Sequence, residues 1–213
     1  MGVDLKDIAD NVIAGKADKV KELTQSAVDG GMSVKDILNK GLIAGMAVVG
    51  AKFKANEFYV PEVLIAARAM RAGMTIIEPL LAKAGIKPIA KIAIGTVKGD
   101  LHDIGKNLVA MMMKGAGFHI VDLGIDVSPE KFAGAVAQDG VEIICLSALL
   151  TTTMTSMKTT IQALEANNIR KKVKVMIGGA PVTQSYADEI GADGYAPDAA
   201  SAVDKAKVLL GIS

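Results

Sequence analysis

The sequence predicts an α/β protein in which an N-terminal four-helix bundle precedes a doubly wound parallel sheet of five strands. Apolar residues recur at three- and four-residue spacing through residues 1–86, which is the period of an amphipathic helix. After Gly85 and Pro88, short apolar runs alternate with helical stretches. That alternation is typical of parallel strands joined by right-handed helical crossovers. We therefore expect a helical domain at 1–86 and a sheet domain at 87–213.

The four helices of the first domain follow from the spacing of apolar residues and from turn signals. The apolar positions of the first two helices are Leu5, Ile8 and Val12, then Val20, Leu23 and Ala27. Ser33 with Asp36 resembles a capping box, and an apolar helix runs from there to about Phe53. Pro61 suits the first turn of a last helix, which we expect from about Glu62 to Lys83.

The second domain alternates five predicted strands with five predicted helices. The strands are expected at 91–97, 118–124, 141–148, 172–179 and 192–196. The helices are expected at 103–117, 128–140, 155–168, 181–191 and 198–211. Ser128 and Pro129 mark the start of the second of these helices. This order fits the flavodoxin-like, or Rossmann-like, doubly wound fold.

Composition and charge exclude several classes of protein. Hydrophobic residues make up 51% of the chain and aromatic residues 3%, so a large aliphatic core is available. The 24 basic and 23 acidic side chains nearly cancel, which argues against nucleic acid or a membrane surface as a partner. The single Cys145 excludes an internal disulfide and indicates a reducing compartment. With no signal-peptide pattern and no run of about 20 apolar residues, we expect a cytoplasmic protein.

A ligand of such a fold binds outside the carboxyl ends of the strands, near the switch point beside the first strand. Four loops reach that edge, at 97–105, 122–128, 147–154 and 178–183. They are rich in Gly, Ser, Thr and Asp, and they hold His102, one of two histidines in the chain.

The residues of these loops leave several ligand classes open. No phosphate-binding glycine motif follows the first strand. A phosphoacceptor role for Asp100 or Asp103 stays open. However, receiver domains, which share this topology, carry their acceptor at the end of the third strand, where this chain has no carboxylate. His102 can ligate a metal if Asp100 holds its second ring proton. One histidine suffices only for a metal that arrives already coordinated, as in a macrocycle. An Asp-x-His pair can also simply cap a helix, and taken alone it favours that role.

Five segments carry a resemblance to a known family. They are G-D-L-H-D-I-G-K-N at 99–107, V-D-L-G at 121–124, S-A-L-L-T-T-T at 147–153, I-G-G-A at 177–180 and G-A-D-G-Y-A at 191–196. In order and spacing they resemble the cobalamin-binding module of methionine synthase and of methyltransferase corrinoid proteins. Residues 1–86 resemble the family's helical module. With no other domain in the sequence, the resemblance is to the standalone corrinoid proteins of methanogens and acetogens.

The resemblance implies a cobalamin cofactor and a role for each member of the Asp-x-His motif. His102 would replace the cofactor's own benzimidazole base below the cobalt, and Asp100 would accept the second histidine proton. Thr153 would extend this relay. Members similar to methionine synthase carry Ser at that position. This chain therefore retains the hydroxyl, and the departure leaves open only how finely the relay is tuned.

The same resemblance places further cofactor contacts in the loops. Gly105 would open the first helix of the sheet domain without a side chain, and Ser147 and Leu149 would line a channel for the displaced nucleotide tail. The remaining expected contacts are Gly99, Asp103, Ile104, Thr151, Gly178, Gly179, Tyr195 and Ala196. Simpler roles stay open for some of them, such as a tight turn for the glycine pair, a backbone hydrogen bond for the serine and a core position for the tyrosine.

The helical domain gains a role from the same comparison. In the family it covers the upper, methyl-bearing face of the corrin, and the segment F-Y-V-P-E-V-L-I-A-A-R-A-M at 58–70 resembles that cap. Tyr59 would shield the methyl group, with Leu64, Ala66 and Met70 beside it. An ordinary place in the bundle core remains open for Leu64 and Met70. His119 and Cys145, outside the loops, are expected to be structural.

The implied activity is that of a methyl carrier, which is a non-autonomous component of a methyltransferase system. One substrate-specific corrinoid methyltransferase would load a methyl group onto cobalt(I), giving methyl-cobalt(III). A second would pass it to a tetrahydrofolate-type or coenzyme M-type acceptor, and a reductive activase would restore lost cobalt(I). Residues 84–90 are the expected hinge of the cap. The alternatives are a subunit of an adenosylcobalamin-dependent mutase, a cobalamin-dependent regulator and a metal-free binding module.

Overall fold

The computed structural model describes residues 3–212, so the first two residues and the last, where the predicted domains begin and end, lie outside it. The chain forms two compact units. One comprises the residues up to Pro88 together with Gly115–Gly117, and the other comprises Ile89–Lys114 and the residues from Phe118 onward. In the described part of the chain, no helix combines the length and the apolar character that crossing a membrane requires.

The first unit is helical. Its elements are α1 (Leu5–Ile13), α2 (Ala17–Asp29), α3 (Val34–Asp36), a π-helical stretch (Ile37–Ile43), α4 (Ala44–Lys54) and α5 (Val60–Lys83). The π-helical stretch joins α3 to α4 without a break, so the predicted third helix exists but changes its winding. Gly41 and Gly45 let this helix approach α1 closely, since a Cβ at Gly45 would lie 2.8 Å from the Ala9 carbonyl oxygen.

The predicted capping box at Ser33 is wrong. The Ser33 side chain makes no capping hydrogen bond, and Asp36 pairs with Lys40 at 2.9 Å instead. The Asp side chain is one methylene shorter than the Glu that usually reaches back to the N-cap amide. That interaction occurs at α5, where Glu62 accepts a hydrogen bond of 2.9 Å from the Tyr59 amide.

The second unit is a five-stranded sheet with helices between the strands. The strands are β1 (Lys91–Val97), β2 (His119–Val127), β3 (Ile143–Ser147), β4 (Lys174–Gly178) and β5 (Gly194–Tyr195). The helices are α6 (Ile104–Gly115), α7 (Pro129–Asp139), α8 (Thr155–Ala166), α9 (Gln184–Ile190) and α10 (Ala199–Leu209). All strand pairs are parallel and the order is β2-β1-β3-β4-β5, which confirms the predicted fold class. The order reverses beside β1, which is the switch point.

All strands except β1 differ from their predicted bounds by one to three residues, and the differences in β2 and β4 have an identifiable structural cause. β2 continues to Val127, so most of the expected loop at 122–128 is strand. Its pairing with β1 shifts register around Gly95, and Asp126 adopts a positive φ of 50°. These irregularities break the alternation that marks a strand in the sequence. A 3-10 turn, Arg170–Lys172, replaces the expected start of β4 at residue 172.

Candidate functional site

The sheet register aligns the ends of three strands at one edge. Thr96 of β1 pairs with Ser147 of β3, and Ser147 pairs with Gly178 of β4. The loops that follow these strands therefore begin side by side at the carboxyl edge, next to the switch point. This arrangement brings together the β1–α6 loop, which holds His102, and the β3–α8 loop.

Asp100 is a buried carboxylate that joins these two loops. Its Oδ1 accepts hydrogen bonds from the His102 amide at 3.0 Å and from the His102 Nδ1 at 2.8 Å. Its Oδ2 accepts from the Leu149 amide at 2.8 Å and from the Thr153 hydroxyl at 2.7 Å, with the Leu150 amide at 3.4 Å. Five donors thus surround one fully buried acid.

These donors determine the charge of Asp100. Burial by itself would raise the pKa of this carboxyl group. The hydrogen bonds from Thr153, from the loop amides and from the imidazole more than offset burial and hold the pKa well below its ordinary 3.8. Asp100 is therefore an anion at neutral pH.

The charge of Asp100 fixes the tautomer of His102. An ionised carboxylate only accepts hydrogen bonds, so Nδ1 of the neutral imidazole carries the proton and Nε2 has a free lone pair. The side chain of His102 is 51% exposed, and among residues 3–212 its Nε2 has no hydrogen-bond partner. The ring thus offers an oriented metal ligand.

The backbone of the His102 loop is held by residues that the sequence patterns did not single out. The buried Thr96 donates a hydrogen bond of 2.8 Å to the His102 carbonyl oxygen. Asp126 accepts from the Gly99 amide at 2.8 Å, and its own amide donates to the Asp100 carbonyl oxygen at 3.0 Å. A threonine in the otherwise apolar run of β1 was the available signal for Thr96. No pattern pointed to Asp126.

The surroundings of His102 are apolar and open. Leu101 and Ile104, on either side of it in sequence, are 67% and 78% exposed, and Leu149 and Leu150 of the facing loop are also exposed. An added Cβ at Gly105 would meet no atom within 4 Å. Exposed apolar side chains grouped around one polar atom mark a ligand-binding surface.

The other predicted loop residues lie at the same edge with different degrees of contact. Ser147 is half-buried, and no residue in the described part of the chain bonds its hydroxyl, while Thr151 is exposed. Asp103 is exposed and accepts a hydrogen bond from the Asn107 side chain at 3.0 Å. On β5 and just after it, Tyr195 is half-buried and Ala196 is buried.

The glycine pair after β4 has a packing role of its own. Gly179 has a φ of +136°, and an added Cβ would lie 1.8 Å from the Ala148 carbonyl oxygen. A Cβ at Gly178 would lie 3.3 Å from the Ala196 carbonyl oxygen. Close packing of backbone against backbone therefore requires glycine at 179, whether or not a ligand approaches.

The predicted cap residues fall into two groups within the helical unit. Tyr59 is 63% exposed and Leu64 is 45% exposed at the start of α5. Ala66 and Met70, further along the same helix, are 0% and 4% exposed. Only the first two leave a large part of their surfaces accessible to a ligand.

Two residues outside the loops are placed away from this edge. His119 begins β2 and pairs with Lys91 at the start of β1, which is the opposite end of the sheet. Cys145 is buried in β3, and this burial raises its pKa to about 12, so the thiol stays protonated.

The site fits a metal that is already coordinated. Within residues 3–212, no group of three or more His, Cys, Asp or Glu side chains could hold a metal ion. A bare ion would need several protein ligands, whereas a metal in a macrocycle needs one axial ligand and an apolar surface beside it. His102 and the surrounding leucine and isoleucine side chains provide that combination.

Comparisons with known proteins point to the same ligand. Residues 90–204 match a family model described as a B12 binding domain, and residues 4–78 match a second model with the same description. A corrinoid protein of Desulfitobacterium hafniense is 43% identical over 210 residues, which cover 97% of each chain.

Two further comparisons come from Methanosarcina barkeri. Its dimethylamine corrinoid protein is 42% identical over 207 residues, which cover 97% of each chain. The crystal structure of its methanol:cobalamin methyltransferase complex MtaBC superimposes with a TM-score of 0.86 at 30% identity, covering 97% of this chain and 79% of the other.

Proposed function

The chain belongs to the family of B12-binding corrinoid proteins, and on that basis we propose that it carries methyl groups on a cobalamin whose cobalt is ligated by His102. The observation that carries this assignment is the state of the imidazole. Its Nδ1 is bound to the buried, ionised Asp100, and its Nε2 is free beside exposed apolar side chains. When bound, cobalamin supplies a cobalt ion that accepts and gives up the methyl group.

The protein's own contribution is to orient the ligand and to hold a proton. The Thr153 hydroxyl has one proton and two acceptors, Asp100 Oδ2 at 2.7 Å and the Leu150 carbonyl oxygen at 2.9 Å. If Asp100 takes up a proton at Oδ2, Thr153 can donate to Leu150 and accept from Asp100. The carboxyl group can thus change its protonation state without leaving a buried group unpaired.

Further contacts to the cofactor extend this proposal. The unpartnered Ser147 hydroxyl and the exposed Leu149 would face the nucleotide tail, and Gly105 would leave room where a side chain would intrude. From the helical unit, Tyr59 and Leu64 would cover the methyl-bearing face, since both are exposed at the start of α5. Their aromatic and aliphatic surfaces suit a face from which water must be kept out.

The partners follow from the same family membership. A solved relative is a complex of a methanol:cobalamin methyltransferase, so we propose that this chain also works beside a substrate-specific methyltransferase. A second methyltransferase would receive the methyl group, and a reductive activase would restore the cobalt. The mutase and regulator alternatives are not favoured, because the relatives that match 97% of this chain are named as corrinoid proteins.

Reconstitution tests the ligand assignment. The protein is mixed with aquocobalamin under anaerobic conditions, and the visible spectrum of the complex is recorded. We expect a stoichiometric complex whose spectrum changes in His102→Ala, because the axial imidazole is lost. His119→Ala is the matched control and should keep the original spectrum, since that histidine lies at the opposite end of the sheet. An unchanged spectrum in His102→Ala would contradict the assignment.

A further inference from the structure

Two charged side chains are buried in the described part of the chain, and they flank His102. Asp100 lies two residues before it and Lys106 four residues after it, with 0% and 4% of their surfaces exposed. Asp100 is explained by its bond to the imidazole. The cation at Lys106 has no role in the function proposed above, although it belongs to the segment G-D-L-H-D-I-G-K-N.

Lys106 is bound to a single carboxylate. Its Nζ lies 2.7 Å from both Oδ1 and Oδ2 of Asp122, and Asp122 Oδ1 also accepts from the Gly124 amide at 2.9 Å. Asp122 lies in β2 opposite Ile94 of β1, directly before the shift in register. The pair therefore ties the first turn of α6 to the irregular end of β2, and it joins the segment around His102 to the segment V-D-L-G.

Helix stability does not account for a cation at this position. Lys106 is the third residue of α6, where the positive end of the helix dipole disfavours a positive charge. Burying an ion pair also costs solvation, and an apolar side chain would pack in the same place without that cost. The pair instead fixes the position of the Lys106 side chain relative to β2, because two short charge-assisted hydrogen bonds hold its ammonium group.

The fixed point lies on the segment that carries the ligand. On one side of His102, Asp100 is held by Leu149 and Thr153 of the facing loop. On the other side, Ile104 and Gly105 are exposed, and the next side chain buried against the sheet is Lys106. His102 thus lies between a contact with the β3–α8 loop, made by Asp100, and a contact with β2, made by Lys106, while Thr96 holds its carbonyl oxygen.

We propose that the Lys106–Asp122 pair is a positioning device of the cofactor site, which fixes the start of α6 so that His102 stays in reach of the cobalt. This inference rests on the proposed function. Lys106 acts through the backbone and touches neither the imidazole nor, on this proposal, the metal.

The test compares matched variants reconstituted with aquocobalamin. Lys106→Met removes the cation and keeps an unbranched side chain, and Asp122→Asn removes the carboxylate at nearly constant shape. In both we expect the ratio of His-ligated to His-free cofactor, read from the visible spectrum, to fall at least tenfold. Lys106→Arg, which keeps a cation able to reach Asp122, should restore most of the ratio. Lys19→Met is the control, because it breaks an exposed ion pair that lies outside the His102 loop.

A role in folding alone is distinguished by measuring urea unfolding and far-UV circular dichroism of each variant first. If the folded Lys106→Met and Asp122→Asn proteins bind cobalamin with the wild-type spectrum, the positioning role is excluded. If Lys106→Met does not fold, Asp122→Asn alone tests the positioning role. We expect this variant to fold because 43% of the Asp122 side chain is exposed. The proposed function itself would be contradicted by a different result. Either the wild-type protein would fail to bind cobalamin, or the spectrum of the complex would be the same in His102→Ala as in the wild type.

Discussion

At the residue scale, the geometry of the site depends on Asp100. It receives hydrogen bonds from its own loop through His102 and from the β3–α8 loop through Leu149 and Thr153. The acid and the threonine are 53 residues apart in sequence, so the bond between them exists only when β1 and β3 are paired. Orientation of the imidazole is therefore a consequence of sheet formation.

The hydroxyl of Thr153 provides a test of this connection. Thr153→Val keeps the shape and removes the hydrogen bond to the ionised Asp100, so the free energy of unfolding should fall by about 2 kcal/mol. Urea denaturation of the cofactor-free protein measures the change. Thr153→Ser retains the hydroxyl and is the control, with an expected loss well below that of the valine variant. Equal losses in both variants would show that packing of the methyl group matters more than the bond.

The ion pair of Asp122 predicts a dependence of stability on pH. Burial by itself would raise the pKa of Asp122, but the hydrogen bond and charge of Lys106 lower it below 3.8. A lowered pKa in the folded state stabilises the protein above the ordinary pKa, and this stability is lost as pH falls through the lowered value. Asp122→Asn should cost about 2 kcal/mol at neutral pH, because Lys106 is left buried without its partner.

The decisive measurement for Asp122→Asn is the difference from wild type across pH. Urea midpoints of the two proteins should differ most at neutral pH and converge as the pH falls below 3.8. A constant difference down to the lowest pH at which both proteins fold would contradict the role of the charge.

At the element scale, irregular backbone at the strand ends positions the loops. The pairing of β2 with β1 shifts register, and Asp126, with its positive φ, binds both Gly99 and Asp100. Gly179 lets the β4–α9 loop pass directly over the carbonyl of Ala148. In both places, a departure from regular strand geometry brings two loops into contact.

Replacement of Gly179 tests the close approach at β4. Gly179→Ala would place a Cβ 1.8 Å from a carbonyl oxygen at a φ of +136°, so we expect a loss of stability of about 3 kcal/mol or more. Gly191→Ala is the control, because its φ is also positive, at +74°, but no atom lies within 4 Å of the new Cβ. That variant should lose only about 1 kcal/mol. Thermal or urea unfolding measures the loss of stability in each variant. The Gly191→Ala variant reports backbone strain alone, and the additional loss in Gly179→Ala reports the steric overlap with Ala148.

At the scale of the whole molecule, the chain consists of two units with separate compact packing. The sheet unit has a continuous apolar core that includes Phe132, Ile144 and Met157. The helical unit packs α2 against α5, where Gly73 leaves room for Leu42 and Thr24. His102 and its hydrogen-bond partners among the described residues lie in the sheet unit, so that unit alone orients the imidazole.

Binding of the cofactor should stabilise the folded protein, because the site around His102 exists only when the sheet has formed. A ligand that binds only the folded state adds about 2.7 kcal/mol to the free energy of unfolding when its free concentration is 100 times its dissociation constant. We expect aquocobalamin to raise the melting temperature of the wild-type protein, and to raise that of His102→Ala less. Circular dichroism melts with and without cofactor measure both shifts. An equal shift in the two proteins would mean that His102 contributes nothing to affinity.

The order of the helices and strands, the switch point and the motif around His102 could be predicted from the sequence, because each depends on periodicity or on neighbouring residues. The burial of Ala66 and Met70, beside the exposed Tyr59, could not be predicted, since all four expected cap residues share one helical segment and only packing separates their faces. The same limit applies to the Ser33 cap, where the expected side-chain contact is replaced by a neighbouring ion pair.

By itself, the sequence determined the fold class and the cofactor family, and it predicted His102 as the residue that offers the ligand. Tertiary structure alone decided how that ligand is held. Thr96 and Asp126 hold the His102 loop, and Lys106 binds Asp122, through bonds whose partners depend on strand register and on the irregular pairing of β2. The pairing of β1 with β2 shifts register around Gly95, and such an irregularity depends on how the two strands pack together and not on the alternating pattern of either one.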